Sequence, residues 1–543
     1  MKKISILLLI LTLWSCNDAL EITQKGELND ERLFTNVANL QLYLNETYDR
    51  FSTQNEIVIS SQLSDEVSMG NSLVTNDTQR FFMVSTNGGS ENIWGRHYQA
   101  INYCNRLITG AGKFTPPASE LAQYNSIVAQ ARAIRAFCHF QLLCYFSTDI
   151  SNDSAPGVMK LDFVPSILQK VPRSSNGEVF ALITADLAFA ESNLGTPFAG
   201  SAPAAPAERY RYINQNFIDA FRARMFLYRK NYVQAEFFAD KIITTSGIQL
   251  ATSAVTIANF PSTSAAIIPL TGSNTIEADP TVANPTQRAL WQFSLWASTV
   301  APPYQAMWAD RIQGESLFSL VRLNNNTNFS SIYNTNGSYL TGAPLYDMGR
   351  NLFELYRNSL GGGAEDIRRW SFIDRSSTIS TTPATATRLN EVIVINKYVG
   401  KAGSHTSNDL KLFRLSEIYF IKAECRAKAS AFAAAANWIR QVRQARSYTG
   451  GTVPMPVYAN STEAYADILL ERRKELCFEG HRYLDLKRIG ADAGVTGTDR
   501  FAQDAVNSSA TNPVNINLGD YRFTLPIPQA EINVNVMQQN PGY

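Results

Sequence analysis

Hydrophobic positions recur every three to four residues through most of the first 250 residues, the spacing of an amphipathic helix. Val37, Leu40, Leu44 and Tyr48 share one stripe of 36–51, and Ile93, His97, Ile101, Asn105 and Ile108 share one stripe of 92–108. From Ser126 to Phe146 the stripe is Ile127, Ala131, Ile134, Phe137 or Cys138, and Gln141, with Arg132 and Arg135 turned aside. The same spacing predicts helices over 174–194, 214–229 and 232–245, and near the C-terminus over 411–429, 432–446 and 462–479. These are paired helices of about three to five turns, separated by short breaks.

Two of the pairs share a pattern. Tyr232, Ala235 and Phe238 follow the break at Lys230-Asn231, and Ala431, Ala435 and Trp438 follow Ala427-Lys428-Ala429-Ser430. A small residue with an aromatic three or four positions later is how tetratricopeptide-type hairpins interlock. The period is irregular along the chain, so the expectation is helix hairpins packed as in a helical repeat rather than a simple array. Between 250 and 405 Pro-, Ser-, Thr-, Asn- and Gly-rich stretches interrupt short apolar runs, among them Phe260-Pro-Ser-Thr-Ser-Ala, Asn324-Asn-Asn-Thr-Asn and Gly361-Gly-Gly. That pattern predicts a loop-rich face laid on a helical scaffold, with Glu391–Tyr398 as the clearest strand. Long irregular loops in a compact protein usually carry function.

The N-terminus follows a different rule. Lys2 and Lys3 precede an apolar run from Ile4 to Trp14, and Ser15-Cys16 follows. The run is shorter than the roughly 20 residues needed to span a bilayer, so 1–15 reads as a cleaved export signal. Leu13-Trp14-Ser15-Cys16 resembles the lipobox of bacterial lipoproteins, in which the Cys is acylated and begins the mature chain. Each buried methylene contributes about 0.8 kcal/mol, so a multiply acylated Cys16 would hold the protein on a membrane. Cys104, Cys138, Cys144, Cys425 and Cys477 remain, an odd number inside apolar helical patterns. They read as small buried hydrophobes rather than a disulfide framework.

Charge narrows the function. In 543 residues, 48 Lys plus Arg face 47 Asp plus Glu, and no basic patch longer than a few residues occurs. Nucleic acid therefore has no electrostatic partner here. Charged residues make up 17% and hydrophobic residues 45%, a balance that suits a folded chain with an uncharged polar surface.

Several segments line up with one family. They are the start Cys16-Asn-Asp-Ala-Leu-Glu; Trp94-Gly-Arg-His-Tyr98 with Asn105-Arg; Gln130-Ala-Arg-Ala-Ile-Arg-Ala136 with His139-Phe140; Pro172-Arg-Ser-Ser; and Arg414-Leu-Ser-Glu-Ile-Tyr-Phe-Ile-Lys-Ala-Glu424. Then come Glu471-Arg-Arg-Lys-Glu-Leu-Cys-Phe-Glu-Gly480 with Arg482-Tyr-Leu-Asp-Leu-Lys-Arg488, Leu525-Pro-Ile-Pro528 and the ending Gln539-Asn-Pro-Gly-Tyr543. Together, in this order from Cys16 to Tyr543, they resemble the SusD/RagB family of outer-membrane nutrient-uptake lipoproteins. The resemblance implies an all-α fold of tetratricopeptide-like helix hairpins with a loop-rich ligand region and minor β-structure. It divides the chain into a signal (1–15), an N-terminal helical scaffold (16–250), a ligand face (251–405) and a C-terminal helical region with a closing tail (406–543). It also implies a SusC-like TonB-dependent β-barrel as partner, a lipid-anchored cell-surface location, and oligosaccharides as ligand, with peptides in a RagB-like branch.

No catalytic motif competes with a binding role. Glu471, Glu475 and Glu479 share a helix face, but Arg472, Arg473, Lys474, Arg482 and Lys487 crowd the same stretch and predict a structural ion network. His97, His139, His405 and His481 are dispersed, so no zinc motif forms. Gly110-Ala-Gly-Lys113 imitates a phosphate loop but has Leu107 and Phe114 where Gly and Ser/Thr belong. Asp149, Ser151 and Asp153 alternate like calcium ligands, yet Ser154 stands where an EF-hand needs Gly. No cofactor is expected, and a loop calcium stays open.

A glycan offers apolar C–H faces rimmed by hydroxyls, which aromatics plus Asn, Asp, Gln and Arg match. Among the loop-rich aromatics, Trp296 and Trp308 with Tyr304 are the candidate platform, Trp291 lies beside them, and Asn92 in the Asn-rich stretch before Trp94 is the polar candidate. Besides an oligosaccharide- or peptide-binding lipoprotein, a surface glycan hydrolase and a protein-only adaptor stay open. The first would release reducing ends, and the second would bind a protein but no glycan.

Overall fold

The computed structural model describes residues 33–70, 76–86, 88–166, 168–199, 202–254, 302–322, 329–333, 344–374, 377, 379–380, 382–385, 391–401, 406–505 and 513–543. The export signal with Cys16, and Trp291, Trp296 and His405, lie outside the described residues.

The first half is α1 (Val37–Arg50), α2 (Gln54–Leu63), β1 (Val67–Met69), α3 (Gly88–Ala111), α4 (Leu121–Phe146), α5 (Asn176–Asn193), α6 (Gln215–Tyr228) and α7 (Tyr232–Thr245). The short elements α8 (Pro303–Trp308), β2 (Ser316–Leu320), β3 (Tyr346–Met348) and α9 (Arg350–Arg357) follow. The chain closes with β4 (Leu410–Arg414), α10 (Leu415–Lys428), α11 (Phe432–Ala445), α12 (Ser461–Glu475), α13 (Arg482–Ile489) and α14 (Gln529–Val534). The chain is mostly helical, with a small β component: β1 pairs antiparallel with β3, and β2 with β4.

Asparagine supplies many of the helix starts. Asn36, Asn214, Asn231 and Asn460 each accept the backbone N–H three residues on, while Ser175 and Glu178 form a capping box. The centre is α4. Nearly every side chain from Ser126 to Phe146 is buried where α4 runs between α3 and α5, and Arg135, which the apolar stripe turns aside, is buried as well, on Asp186 at 2.7 Å. Phe137 meets Phe51, Phe221 and Phe413 edge-on, at centroid distances of 5.3, 5.4 and 5.9 Å. Burying one such ring contributes about 2–3 kcal/mol.

The two matched hairpins are built alike. In α6–α7 and α10–α11 each helix has 14 residues, and the turns carry Lys230 (φ 60°) and Ser430 (φ 57°) in the left-handed region. Ala235 and Ala435 are fully buried at equivalent places, and α7 packs on α10, which stacks one hairpin on the next.

Two sequence expectations shift at their edges and one fails. The predicted helix 411–429 begins only at Leu415, because Leu410–Arg414 is drawn into a ladder with Ser316–Leu320. The helix predicted to Glu479 stops at Glu475, and Phe478 (φ 60°) and Gly480 (φ 86°) turn the chain toward α13. Glu391–Tyr398 is extended and buried from Ile393 on, but among the described residues it makes an isolated antiparallel bridge, Ile395 to Ile373, rather than a strand of a sheet. Its groups are shared instead: Ile393 O accepts from Met348, Val394 O from Asp374, and Asn396 N–H donates to Phe372. The five cysteines after Cys16 are all buried and free.

One buried acid sets a pH dependence. Asp504 accepts the Arg350 N–H at 3.0 Å but has no ion pair among the described residues, and burial, opposed by that bond and reinforced by Glu391, pushes its carboxyl up to about 7. An acid raised on folding stabilises the fold least at high pH: stability falls as pH rises from the unfolded value of about 3.9 through 7. Asp504→Asn keeps the acceptor and removes the charge. The variant is expected to melt several degrees higher at pH 8, with the gain shrinking toward pH 4. Equal gains at both pH values in thermal melts would refute the assignment.

Candidate functional site

A cleft of about 340 Å³ opens where the last turns of α1, the 3-10 turn Pro206–Arg211 and the end of β2 converge. Asn45, Tyr48, Asp49, Glu208, Arg211, Tyr212, Leu320, Val321 and Arg322 line it. Its volume is in the range of small-ligand sites, and its lining mixes two aromatics with hydrogen-bonding groups.

Each wall is held by the fold. The Tyr48 hydroxyl donates to Gln130 Oε1 at 2.6 Å and accepts the Ile213 N–H at 2.9 Å, which locks the ring between α4 and the segment after the turn. Tyr212 stands edge-on to Tyr48 at 6.4 Å and is only partly buried. Asn214, which caps α6, also donates to Arg209 O at 2.8 Å and closes the turn that carries Glu208 and Arg211. On the opposite wall Asp409 Oδ1 accepts the Arg322 N–H at 2.8 Å, and Lys401 Nζ donates to Arg322 O at 2.5 Å. At the back, Arg96 Nη2 donates to Asp49 O at 2.9 Å. A partly exposed tyrosine face flanked by Asn, Asp, Glu and Arg can stack on a sugar ring and bond its hydroxyls.

The residues singled out from the sequence lie elsewhere. Tyr304 and Trp308 are 0% and 2% exposed, so neither presents a face to a ligand. They are core. The Tyr304 hydroxyl donates to Glu475 Oε1 at 3.1 Å with Arg446 3.9 Å over its ring, and Lys397 lies 4.5 Å from the Trp308 ring. The α8 turn places both on a buried charge network, which their polar sequence neighbours do not reveal. Asn92 is exposed but sits on α3, not on a loop, and its carbonyl accepts from Asn55 at 3.0 Å. Trp94 is buried and donates to Glu531 Oε2 at 3.0 Å. Tyr48 and Tyr212 carry no site signal of their own in the sequence, because one belongs to an apolar stripe and the other to a short inter-helix turn. The Pro- and Arg-rich run Pro206–Tyr212 between two helices was the available signal.

The acidic triplet is structural, as its basic neighbours suggested, but the partners differ. Glu475 is gripped by Arg368, Arg414 and Arg446, Glu471 by Arg368 and Arg443, and Glu479 by Lys397 and Arg414. The adjacent bases turn away: Arg472 pairs with Asp485, Arg473 and Arg482 with Asp65, and Lys474 with Asp366. Gly110 packs against Phe34 at the end of a helix, not in a phosphate loop. Asp149 accepts the Ser151 N–H and Asp153 pairs with Arg229, and among the described residues no group of three or more His, Cys, Asp or Glu side chains is placed to hold a metal.

Residues 366–543 match the model of the SusD family. The chain is 23% identical to SusD-like protein P2 of Formosa agariphila, over all of this chain and 99% of that one. Among solved structures, a SusD superfamily protein of Bacteroides thetaiotaomicron (TM-score 0.69, 20% identity, 93% of this chain and 100% of that one) shares the fold. So does a SusD-like carbohydrate-binding protein of Bacteroides vulgatus (TM-score 0.63, 17% identity, 92% and 97%). The family match falls on the segment holding the Glu471–Gly480 block and the Gln539–Tyr543 ending, and the curated relative aligns end to end: residues 366–543 carry the SusD family match, and the chain has the fold of the SusD superfamily structures.

Proposed function

We propose that this protein is a nutrient-binding lipoprotein of the outer-membrane surface, anchored through Cys16, that takes up oligosaccharides in the Tyr48–Tyr212 cleft and passes them to a SusC-like TonB-dependent β-barrel. The observation that carries the reading is the cleft itself, whose tyrosine faces and polar rim match a sugar. The structural relative described as carbohydrate-binding and the SusD family match over 366–543 support it. Among the described residues no helix is long and apolar enough to cross a membrane. The role assigned is binding and delivery, not catalysis.

One sugar face hiding roughly 100 Å² on Tyr212 contributes about 2.5 kcal/mol. With a few such contacts, less the cost of ordering the ligand, the dissociation constant falls on the order of 0.1–1 mM. Titration calorimetry of the full-length chain in detergent, against oligosaccharides and peptides at up to millimolar concentration, is the test. Tyr212→Ala is expected to weaken oligosaccharide binding about tenfold or more, while thermal melts stay within a degree or two. Unchanged affinity in the folded variant would move the site elsewhere, and heat from peptides alone would replace the oligosaccharide by a peptide.

A further inference from the structure

Arg322 lines the cleft yet is only 5% exposed. Its Nη1 donates to Val321 O at 3.2 Å and its Nη2 to Phe51 O, two bonds from a group with five N–H donors. No carboxylate among the described residues lies within ion-pair distance of it. Arg96, behind it, is in the same position: its bonds go to Asp49 O and to Gln99 Oε1. The deeply buried arginines elsewhere behave differently. Arg135, Arg224, Arg368, Arg414 and Arg446 each grip a carboxylate, as a buried charge must to offset its desolvation. Among the described residues Arg500 also lacks an ion pair, but it gives Nε, Nη1 and Nη2 to the carbonyls of Ser64, Gln79 and Gln62. Arg322, by contrast, lines a ligand-sized opening.

The acids nearby do not cancel this charge. Asp409 is bound by Lys401 at 2.5 Å, and Asp49 lies between Arg96 and Arg322 and serves both at longer range. At the mouth, Arg211 is about one-third exposed and meets Glu208 at a loose 3.7 Å. Among the described residues the lining holds Arg211 and Arg322 against Asp49 and Glu208, and Arg96 behind the cleft adds a third cation to those two carboxylates. Burial first, and then repulsion from Arg96, hold the Arg322 guanidinium down to about 10, so it remains charged at neutral pH and gains from an incoming anion. Guanidinium forks match planar carboxylates and sulfates.

Resting on the oligosaccharide reading above, the geometry points to an anionic saccharide, carrying uronate carboxylates or sulfate esters, as the ligand of this cleft, with Arg322 and Arg211 meeting its charge. The test is titration of the full-length chain with oligogalacturonate, oligoguluronate and sulfated galactan fragments, beside neutral xylo- and malto-oligosaccharides of equal length. The expected result is binding of at least one anionic series about tenfold tighter than any neutral one, weakening several-fold as salt rises from about 0.05 to 0.5 M. Comparison of the uronate and sulfate series identifies the anion. Arg211→Gln is expected to cut the anionic-to-neutral ratio several-fold, and Arg322→Lys, which keeps the charge but not the fork, to cut it further in a protein that still melts cooperatively. Neutral oligosaccharides bound as tightly, with no salt dependence, would overturn the charge assignment and leave the oligosaccharide reading standing. Silence from every saccharide would overturn both.

Discussion

Glu475→Ala is expected to lower the free energy of unfolding by about 3–5 kcal/mol, the cost of stranding buried charges. Glu475 Oε1 takes Arg414 Nη1 and Arg446 Nη2 at 2.9 Å each, and Oε2 takes Arg446 Nε at 3.0 Å and Arg368 Nη1 at 3.1 Å. All four side chains are essentially inaccessible to solvent, so water cannot replace the lost carboxylate. Although burial opposes its ionisation, Arg446, Arg414 and Arg368 hold the carboxyl well below the usual range. A depressed folded pKa contributes stability that is present above the unfolded value, about 4.3, and is lost only as pH falls through the folded one. The penalty should therefore persist unchanged from pH 8 to pH 5. Urea unfolding followed by circular dichroism measures it, with exposed Glu463→Ala as the comparison. A loss below about 1 kcal/mol would mean that the network relaxes around the gap and that no single carboxylate organises it.

Asn540→Ala should loosen the C-terminal tail at a cost of about 2–3 kcal/mol, because it removes three hydrogen bonds of a buried amide, two to carbonyls and one from a guanidinium. Asn540, from the Gln539–Tyr543 ending, is 3% exposed. Its Nδ2 donates to Phe146 O at 2.9 Å and Leu525 O at 2.7 Å, and its Oδ1 accepts Arg173 Nη1 at 3.0 Å. Arg173 binds Gly157 O at 2.7 Å as well, so one residue ties the end of the chain to the end of α4 and to the loop before α5. Hydrogen exchange is the discriminating measurement. Protection over 525–543 should fall by an order of magnitude or more while the α6–α7 hairpin keeps its own. Uniform loss across the molecule, or none, would sink the idea of a local latch.

The latch gives the motif at 539–543 a physical role: its Asn540 donates to the Phe146 carbonyl 394 positions away in the chain. The candidate site offered no such motif. Tyr48 has the period of an ordinary core position, and only the hydrogen bonds to Gln130 and Ile213 turn its ring into a wall of the cleft. Arg322 follows a five-residue strand whose partner lies some 90 residues on, so its burial without a counter-ion was invisible to any local pattern. Trp308 and Tyr304 mislead for the converse reason. Aromatics among polar residues look like a platform, yet a single helical turn directs both onto buried guanidiniums.

The sequence by itself determined the helices and the two matched hairpins, because each rests on contacts within a few residues: a 3.6-residue apolar period and a small residue where two helices touch. Only the tertiary structure decided which arginine answers which carboxylate, where helix gives way to strand at Leu410–Arg414, and where the cleft opens. Those outcomes depend on long-range pairing and on the loss of water around buried charge, energies set by neighbours in space that neither composition nor periodicity encodes.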